Sequence, residues 1–152
     1  MGWEDYFKKA KQEINLADHM AYMTLPMVKD QKVFHNLLKH IDKGLFLAMK
    51  AYLKKMNEEK ELRIIPHSEE LTRRLFLESY SNALSLSVQE IKKLKEINKL
   101  VRAHTKSQMD LKRGNEYVII LGNFKTVTVN ESKMKEYLGL AKDFIRLMEN
   151  KI

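Results

Sequence analysis

One long segment, from about Asp30 to Met56, constrains the fold more than any other feature of the sequence. Asp30 is a good helix N-cap, and after it apolar residues recur every three or four positions, which is the period of one helix face. They form two neighbouring stripes: Phe34, Leu38, Ile41, Leu45, Ala48 and Tyr52, with Leu37, Gly44 and Ala51 beside them. So wide an apolar surface predicts either the central helix of a bundle or a helix shared with a partner subunit. Gly44 inside this helix indicates that another helix approaches closely.

Two further helices are predicted on either side of this segment. The first runs from Trp3 to about Met23, with its apolar positions on one face, and Pro26 then closes it because proline cannot donate a hydrogen bond to a continuing helix. The third begins after Ser68, which can cap it, and fades near Tyr80.

The second half of the chain predicts two more helices and a hairpin. Ser87 and Glu90 have the spacing of a capping box, and the helix that follows carries apolar residues inward and basic residues outward as far as His104. Two β-branched runs, 117–121 and 124–129, flank Gly122-Asn123, a strong hairpin signal. Asn130 then caps the last helix. The sequence therefore predicts a mainly α fold, an antiparallel up-down bundle with a short β-hairpin before its last helix, in one domain spanning 1–152.

The charge of the chain points to a polyanionic partner. Lys and Arg total 28 against 20 Asp and Glu, a formal net charge of +8. Much of this excess lies between Val88 and Arg113, where three acidic residues oppose eight basic ones: Lys92, Lys93, Lys95, Lys99, Arg102, Lys106, Lys112 and Arg113. Positive charge of this kind attracts polyanions over long distances. The cluster is interpreted either as a solvated lysine-rich face or as a binding surface for nucleic acid or nucleotide.

Several classes of chemistry lack the residues that they need. The chain has no Cys, which excludes disulfides, a thiolate nucleophile and Cys-bearing metal centres. It has no Gly-x-Ser-x-Gly elbow, no glycine-rich phosphate loop and no His-Glu-x-x-His arrangement, and His35 and His40 are interpreted as surface or interhelical residues. The sequence shows no signal-peptide start and no apolar run near the roughly 18 residues of a membrane span. We therefore expect a cytoplasmic protein without a cofactor, a metal or membrane contact.

The remaining candidates are basic side chains near the end of the fourth helix. Phosphate or nucleotide binding is predicted for Lys95, Lys99, Arg102, His104, Lys106, Lys112 and Arg113. A metal-independent endoribonuclease would use His104 for proton transfer, with Arg102 or Arg113 holding the phosphate. Arg102 and His104 are two residues apart and face away from each other on a helix. They can cooperate only if the helix ends between them or through a partner subunit.

The order and spacing of several segments resemble the HEPN (higher eukaryotes and prokaryotes nucleotide-binding) domain family, in an archaeal-type branch. The resemblance covers most of the chain and rests on helix motifs that are individually short. These are the opening helix from Tyr6 to Ala17, the run 45–53 in the second helix, Pro66-His67-Ser68 followed by Leu71, the stretch from His104 through Arg113 to the Tyr117 hairpin, and the run 141–145 in the last helix.

Membership of this family implies an antiparallel four-helix bundle that is commonly dimeric and often paired with a small nucleotidyltransferase in a toxin–antitoxin operon. Active ribonucleases of the family carry an Arg and a His with four to six residues between them. Arg63 and His67 have three residues between them here, and Arg102 and His104 have one, so this chain departs from that pattern. The sequence predicts a non-catalytic or degenerate member, a homodimer that binds RNA, a nucleotide or a nucleotidyltransferase. The alternatives are the His104 endoribonuclease and a structural assembly protein with a basic partner-binding face.

Overall fold

The amphipathic segments form helices and the β-branched segments form a small antiparallel sheet. The computed structural model describes residues 1–27, 31–106, 111–113, 116–120 and 125–152. The helices are α1 (Trp3–His19), α2 (Gln31–Glu58), α3 (Glu69–Tyr80), α4 (Val88–Lys106) and α5 (Glu131–Lys151), and a π-helical turn (Met20–Thr24) extends α1. The strands are β1 (Leu111–Arg113), β2 (Glu116–Ile120) and β3 (Thr126–Asn130). The fold is mainly helical, with the sheet before the last helix, as predicted.

Helix α2 lies at the centre and packs against α1, α3, α4 and α5. Both of its apolar stripes are buried by these neighbours, including Leu38 and Ile41 in the first stripe and Leu37 and Ala51 in the second. Of the two interpretations of its wide apolar surface, the central helix is confirmed, and this surface gives no reason to invoke a partner subunit. Although α2 has 28 residues, neither it nor any other described helix combines the length with the hydrophobicity that a transmembrane segment needs.

The contact between α1 and α2 is close, as Gly44 predicted. A Cβ atom added to Gly44 would lie 2.5 Å from Ile14 Cδ1 and 3.2 Å from the Ala10 carbonyl oxygen, both on α1. These distances leave no room for a methyl group without movement of α1. Glycine is therefore required here for helix packing, and its low helix propensity is offset by the approach of the two backbones.

The first helix changes its geometry near its end. The amide of Leu25 donates to the Met20 carbonyl oxygen at 2.8 Å, a five-residue step typical of a π-helix. Ala17, Ala21 and Leu25 are buried at steps of four residues, so the wider turn keeps them on the core side of the helix. Helical structure thus reaches Thr24, close to the predicted end before Pro26.

The predicted helix caps are present wherever the structure describes them. The Leu71 amide donates to Ser68 Oγ at 3.3 Å, and the Lys133 amide donates to Asn130 Oδ1 at 2.8 Å. Ser87 and Glu90 form the reciprocal capping box, with distances of 3.0 and 3.3 Å. These bonds satisfy amides that a helix start leaves without a partner. The predicted cap at Asp30 lies outside the described residues.

The predicted hairpin is confirmed, and a third strand joins it. Strands β2 and β3 are antiparallel, with Tyr117 opposite Val129, while the predicted Gly122-Asn123 loop lies outside the described residues. Strand β1 adds to the other edge of β2. The buried Tyr117 ring stacks on Phe34 of α2, with ring centroids 3.7 Å apart, and so joins the sheet to the central helix.

Two glycines provide a matched test of the contact between α1 and α2. Gly139, in α5, has no described atom within 4 Å of an added Cβ, so Gly139→Ala should raise the free energy of unfolding by about 0.5–1 kcal/mol through helix propensity. Gly44→Ala should instead lower the free energy of unfolding by about 1 kcal/mol, because overpacking outweighs that gain. Urea denaturation of both variants measures the difference, and an equal rise for both would contradict the close packing.

Candidate functional site

Four exposed cations lie on one face of α4. They are Lys92, Lys95, Lys99 and Arg102, spaced three, four and three residues apart, so they follow one line along the helix. At 1.5 Å per residue this line is about 15 Å long. None of the four forms an ion pair or hydrogen bond with another described residue. We call this set the cationic stripe; its positive charge is not neutralised within the described part of the chain.

Other charged residues of α4 are engaged in packing. Lys93 forms an ion pair with Glu136 of α5 at 2.7 Å, and this contact lowers the pKa of Glu136. Glu96 accepts a hydrogen bond from the Tyr137 hydroxyl at 2.5 Å, and burial together with this carboxylate raises the pKa of Tyr137. The acidic Glu90 is part of the helix cap. Of the three carboxylates in this part of the sequence, Glu90 and Glu96 are therefore held by other contacts in the fold, and Asp110 lies outside the described residues.

The structure brings three of the seven predicted phosphate-binding residues together, namely Lys95, Lys99 and Arg102. His104 and Lys106 lie in the last turn of α4, and Lys112 and Arg113 lie on β1. The side chains of these four lie outside the described part of the chain. Lys112 is paired in register with Tyr117, and Arg113 with Glu116.

The endoribonuclease interpretation required α4 to end between Arg102 and His104, or a partner subunit. Helix α4 continues to Lys106, so the first condition is not met. In a continuous helix, two residues separated by two positions lie on nearly opposite faces. The backbone therefore gives no support to this catalytic pair within one chain.

The histidine interpretation is confirmed for His40, which is interhelical. His40 Nδ1 lies 2.5 Å from Glu13 Oε2, and this contact links α2 to α1. His35, also on α2, is buried with its ring edge against Phe34. Among the described residues, no three His, Asp or Glu side chains lie close enough together to hold a metal ion.

A cleft of about 280 Å³ opens between α3 and α4. Apolar side chains line its interior: Met49 of α2, Leu77 of α3 and Leu94 of α4. Two members of the cationic stripe, Lys95 and Arg102, lie on its α4 side. The cleft and the stripe are therefore continuous, so that a ligand in the cleft would lie beside unpaired positive charge.

A buried polar network joins α2, α3 and α4 beside this cleft. Arg73 donates two hydrogen bonds to the Asp42 carboxylate, at 3.1 and 3.0 Å, and one to Glu69 at 2.7 Å. Asn98 of α4 donates to the same carboxylate at 3.2 Å. The Arg73 guanidinium also lies over the Phe46 ring, 5.0 Å from its centroid. This network holds three helices at the cleft together.

Removing the Asp42 carboxylate from water is unfavourable in free energy. Burial raises the pKa of Asp42 above its usual value of 3.8, and the Arg73 charge offsets only part of that rise. The buried Arg73 Nε also has no acceptor among the described residues. A pair of this kind contributes little net stability, but either partner alone is costly because an uncompensated charge is left in the core.

Sequence patterns missed this network. Asp42 follows the apolar Ile41 and lies beside the first apolar stripe of α2, on the same face as the buried Met49 seven residues later, a position where a carboxylate is buried and needs a partner. That signal points to Asp42 without identifying Arg73, which is distant in sequence. The two adjacent carboxylates at the start of α3 have different partners: Glu69 contacts Arg73, and Glu70 lies 3.6 Å from Arg74.

The buried pair predicts strong coupling between two substitutions. Asp42→Leu or Arg73→Met alone should lower the free energy of unfolding by about 3–5 kcal/mol, because the remaining charge is buried without its partner. The double variant should recover most of this loss, since apolar side chains avoid the desolvation of both charges. A urea-denaturation double-mutant cycle measures the coupling. Additive losses in the double variant would show that the pair is not coupled.

The comparisons with known proteins identify no relative. No family model, no curated protein and no solved structure matches this chain. The HEPN resemblance therefore stays a prediction from motif order and spacing. The functional argument depends on the cationic stripe and the cleft beside it.

Proposed function

We propose that this chain is a non-catalytic, HEPN-like helical bundle that binds single-stranded RNA through the cationic stripe of α4. The observation that carries the proposal is the alignment of Lys92, Lys95, Lys99 and Arg102 on one exposed helix face, without ion pairs to other described residues. Cations whose only role is solubility need neither alignment nor the absence of ion pairs.

The physical basis of binding would be neutralisation of phosphates. Each phosphate contacted by a Lys or Arg releases condensed counterions, so affinity falls as salt concentration rises. Arg102 supplies a planar set of donors suited to phosphate oxygens, while the lysines supply mobile point charges. The cleft beside the stripe favours a single strand over a duplex, because only unstacked bases can enter a cleft between two helices.

The stripe predicts the salt dependence of RNA binding. Binding of a short single-stranded oligo-adenylate should weaken steeply from about 50 to about 200 mM salt. The triple variant Lys95→Gln, Lys99→Gln, Arg102→Gln should bind about tenfold more weakly, and the slope of log K against log salt should become shallower by about 2. Fluorescence anisotropy with labelled RNA measures both quantities.

A matched variant controls for net charge. Lys8, Lys39 and Lys151 are exposed and lie on other helices, so replacing all three with Gln removes the same charge and should leave binding nearly unchanged. Equal losses in the two triple variants would show that only net charge matters. Undetectable RNA binding at low salt would contradict the proposal and favour the assembly-protein alternative with an acidic partner.

The non-catalytic proposal also predicts that the RNA is recovered intact after incubation with the protein. Cleavage of the RNA by the wild-type protein that is lost in His104→Ala would instead support the endoribonuclease.

The HEPN resemblance adds a homodimer and a small nucleotidyltransferase partner to the proposal. Because the apolar stripes of α2 are covered by helices of its own chain, a homodimer would use a different surface. Light scattering at micromolar concentration should give twice the chain mass of 18.0 kDa. A mass equal to one chain would remove the dimer and leave the RNA-binding proposal in place. A nucleotidyltransferase gene beside this one would support the second partner.

A further inference from the structure

The cleft between α3 and α4 has two chemically different sides. On the α4 side, Lys95 and Arg102 have no ion pair with another described residue. On the α3 side, Arg74 lies 3.6 Å from Glu70, and Glu78 adds a second carboxylate. The cations Arg73 and Arg74 balance the two carboxylates of the α3 side, so an anionic group is attracted to the α4 side. A ligand with its negative charge at one edge therefore suits this cleft.

The interior of the cleft suits a flat, weakly polar group. Leu77 and Leu94 belong to facing helices, and Met49 adds a flexible apolar contact from α2. Asn98 contributes an amide whose nitrogen is already bonded to Asp42, which leaves its carbonyl oxygen as an acceptor. A volume of about 280 Å³ is at the small end of ligand pockets, so one ring system fits better than an extended molecule.

A nucleotide unit of a single strand has this combination of groups. Its base presents two apolar faces and hydrogen-bonding edges, and its phosphate lies at one end. The carboxylates of Glu70 and Glu78 can accept hydrogen bonds from the amino groups of a base. Along α4, Lys99 lies between Lys95 and Arg102, and Lys92 lies about one turn beyond Lys95, so neighbouring phosphates of the same strand would lie along this line.

We propose that the α3–α4 cleft holds one unstacked base of a single-stranded RNA whose phosphates follow the cationic stripe. This inference rests on the proposed RNA-binding function and deepens it, because it assigns base contacts to Leu77 and Leu94 and phosphate contacts to Lys95 and Arg102. The stripe supplies the salt-dependent part of binding, and the cleft supplies a part that requires a base.

The test compares an oligo-adenylate with an abasic strand of the same length and backbone. The wild-type protein should bind the abasic strand about tenfold more weakly, because one stacked base is lost, while the salt slope stays the same. Leu77→Gln should weaken binding of the oligo-adenylate by a similar factor and leave the abasic strand unaffected. Leu75→Gln is the matched control, since Leu75 is a half-buried leucine of the same helix that does not line the cleft.

The outcomes separate this inference from the proposed function. Equal affinities of the wild-type protein for the two strands, with the stripe variant still weakened, would overturn the base pocket and leave RNA binding intact. Absence of binding to either strand would overturn both. Adenosine monophosphate that binds as tightly as the oligo-adenylate would also overturn the inference, because the cleft would then be a free-nucleotide site. The two strands are compared on the wild-type protein, so the result stands even if Leu77→Gln fails to fold.

Discussion

Burial of the apolar stripes of α2 by the surrounding helices is the constraint on which the rest of the structure depends. Each of the other helices directs an apolar stripe towards α2, and the sheet reaches it through the stacked rings of Tyr117 and Phe34. Leu94 and Ile97 on the inner face of α4 are buried in the core. The outer face does not contribute to the core and can therefore carry lysines. The central helix thus determines which surface of α4 is exposed and where the cationic stripe lies.

The polar network beside the cleft follows from the same arrangement. The Asp42 carboxylate lies on a buried part of α2, so it can be kept there only with partners from the covering helices. Arg73 of α3 and Asn98 of α4 supply those hydrogen bonds, and they link the two walls of the cleft through α2. The cleft is therefore lined by two kinds of residue. Arg73 and Asn98 stabilise its walls, whereas Lys95 remains available to a ligand.

Local patterns predicted the elements well and the tertiary pairings poorly. Helix period and capping residues located the helices, and β-branched runs located β2 and β3, because these signals are local in the chain. Strand β1 was missed because three residues are too few to show a period. The pairing of Asp42 with Arg73 was missed because it depends on how α2 and α3 pack. The spacing of the cationic stripe is visible in the sequence, whereas the hydrogen bond between Glu96 and Tyr137 depends on the position of α5.

The most direct test of the account is a map of RNA contacts on the folded protein. Two-dimensional NMR of the labelled chain, titrated with a short oligo-adenylate at low salt, reports which backbone amides change their environment. The account predicts changes concentrated on α4 between Lys92 and Arg102 and on α3 around Leu77, with α1 and the exposed face of α5 unchanged. Shifts centred on α1 or α5, with α3 and α4 unchanged, would contradict it.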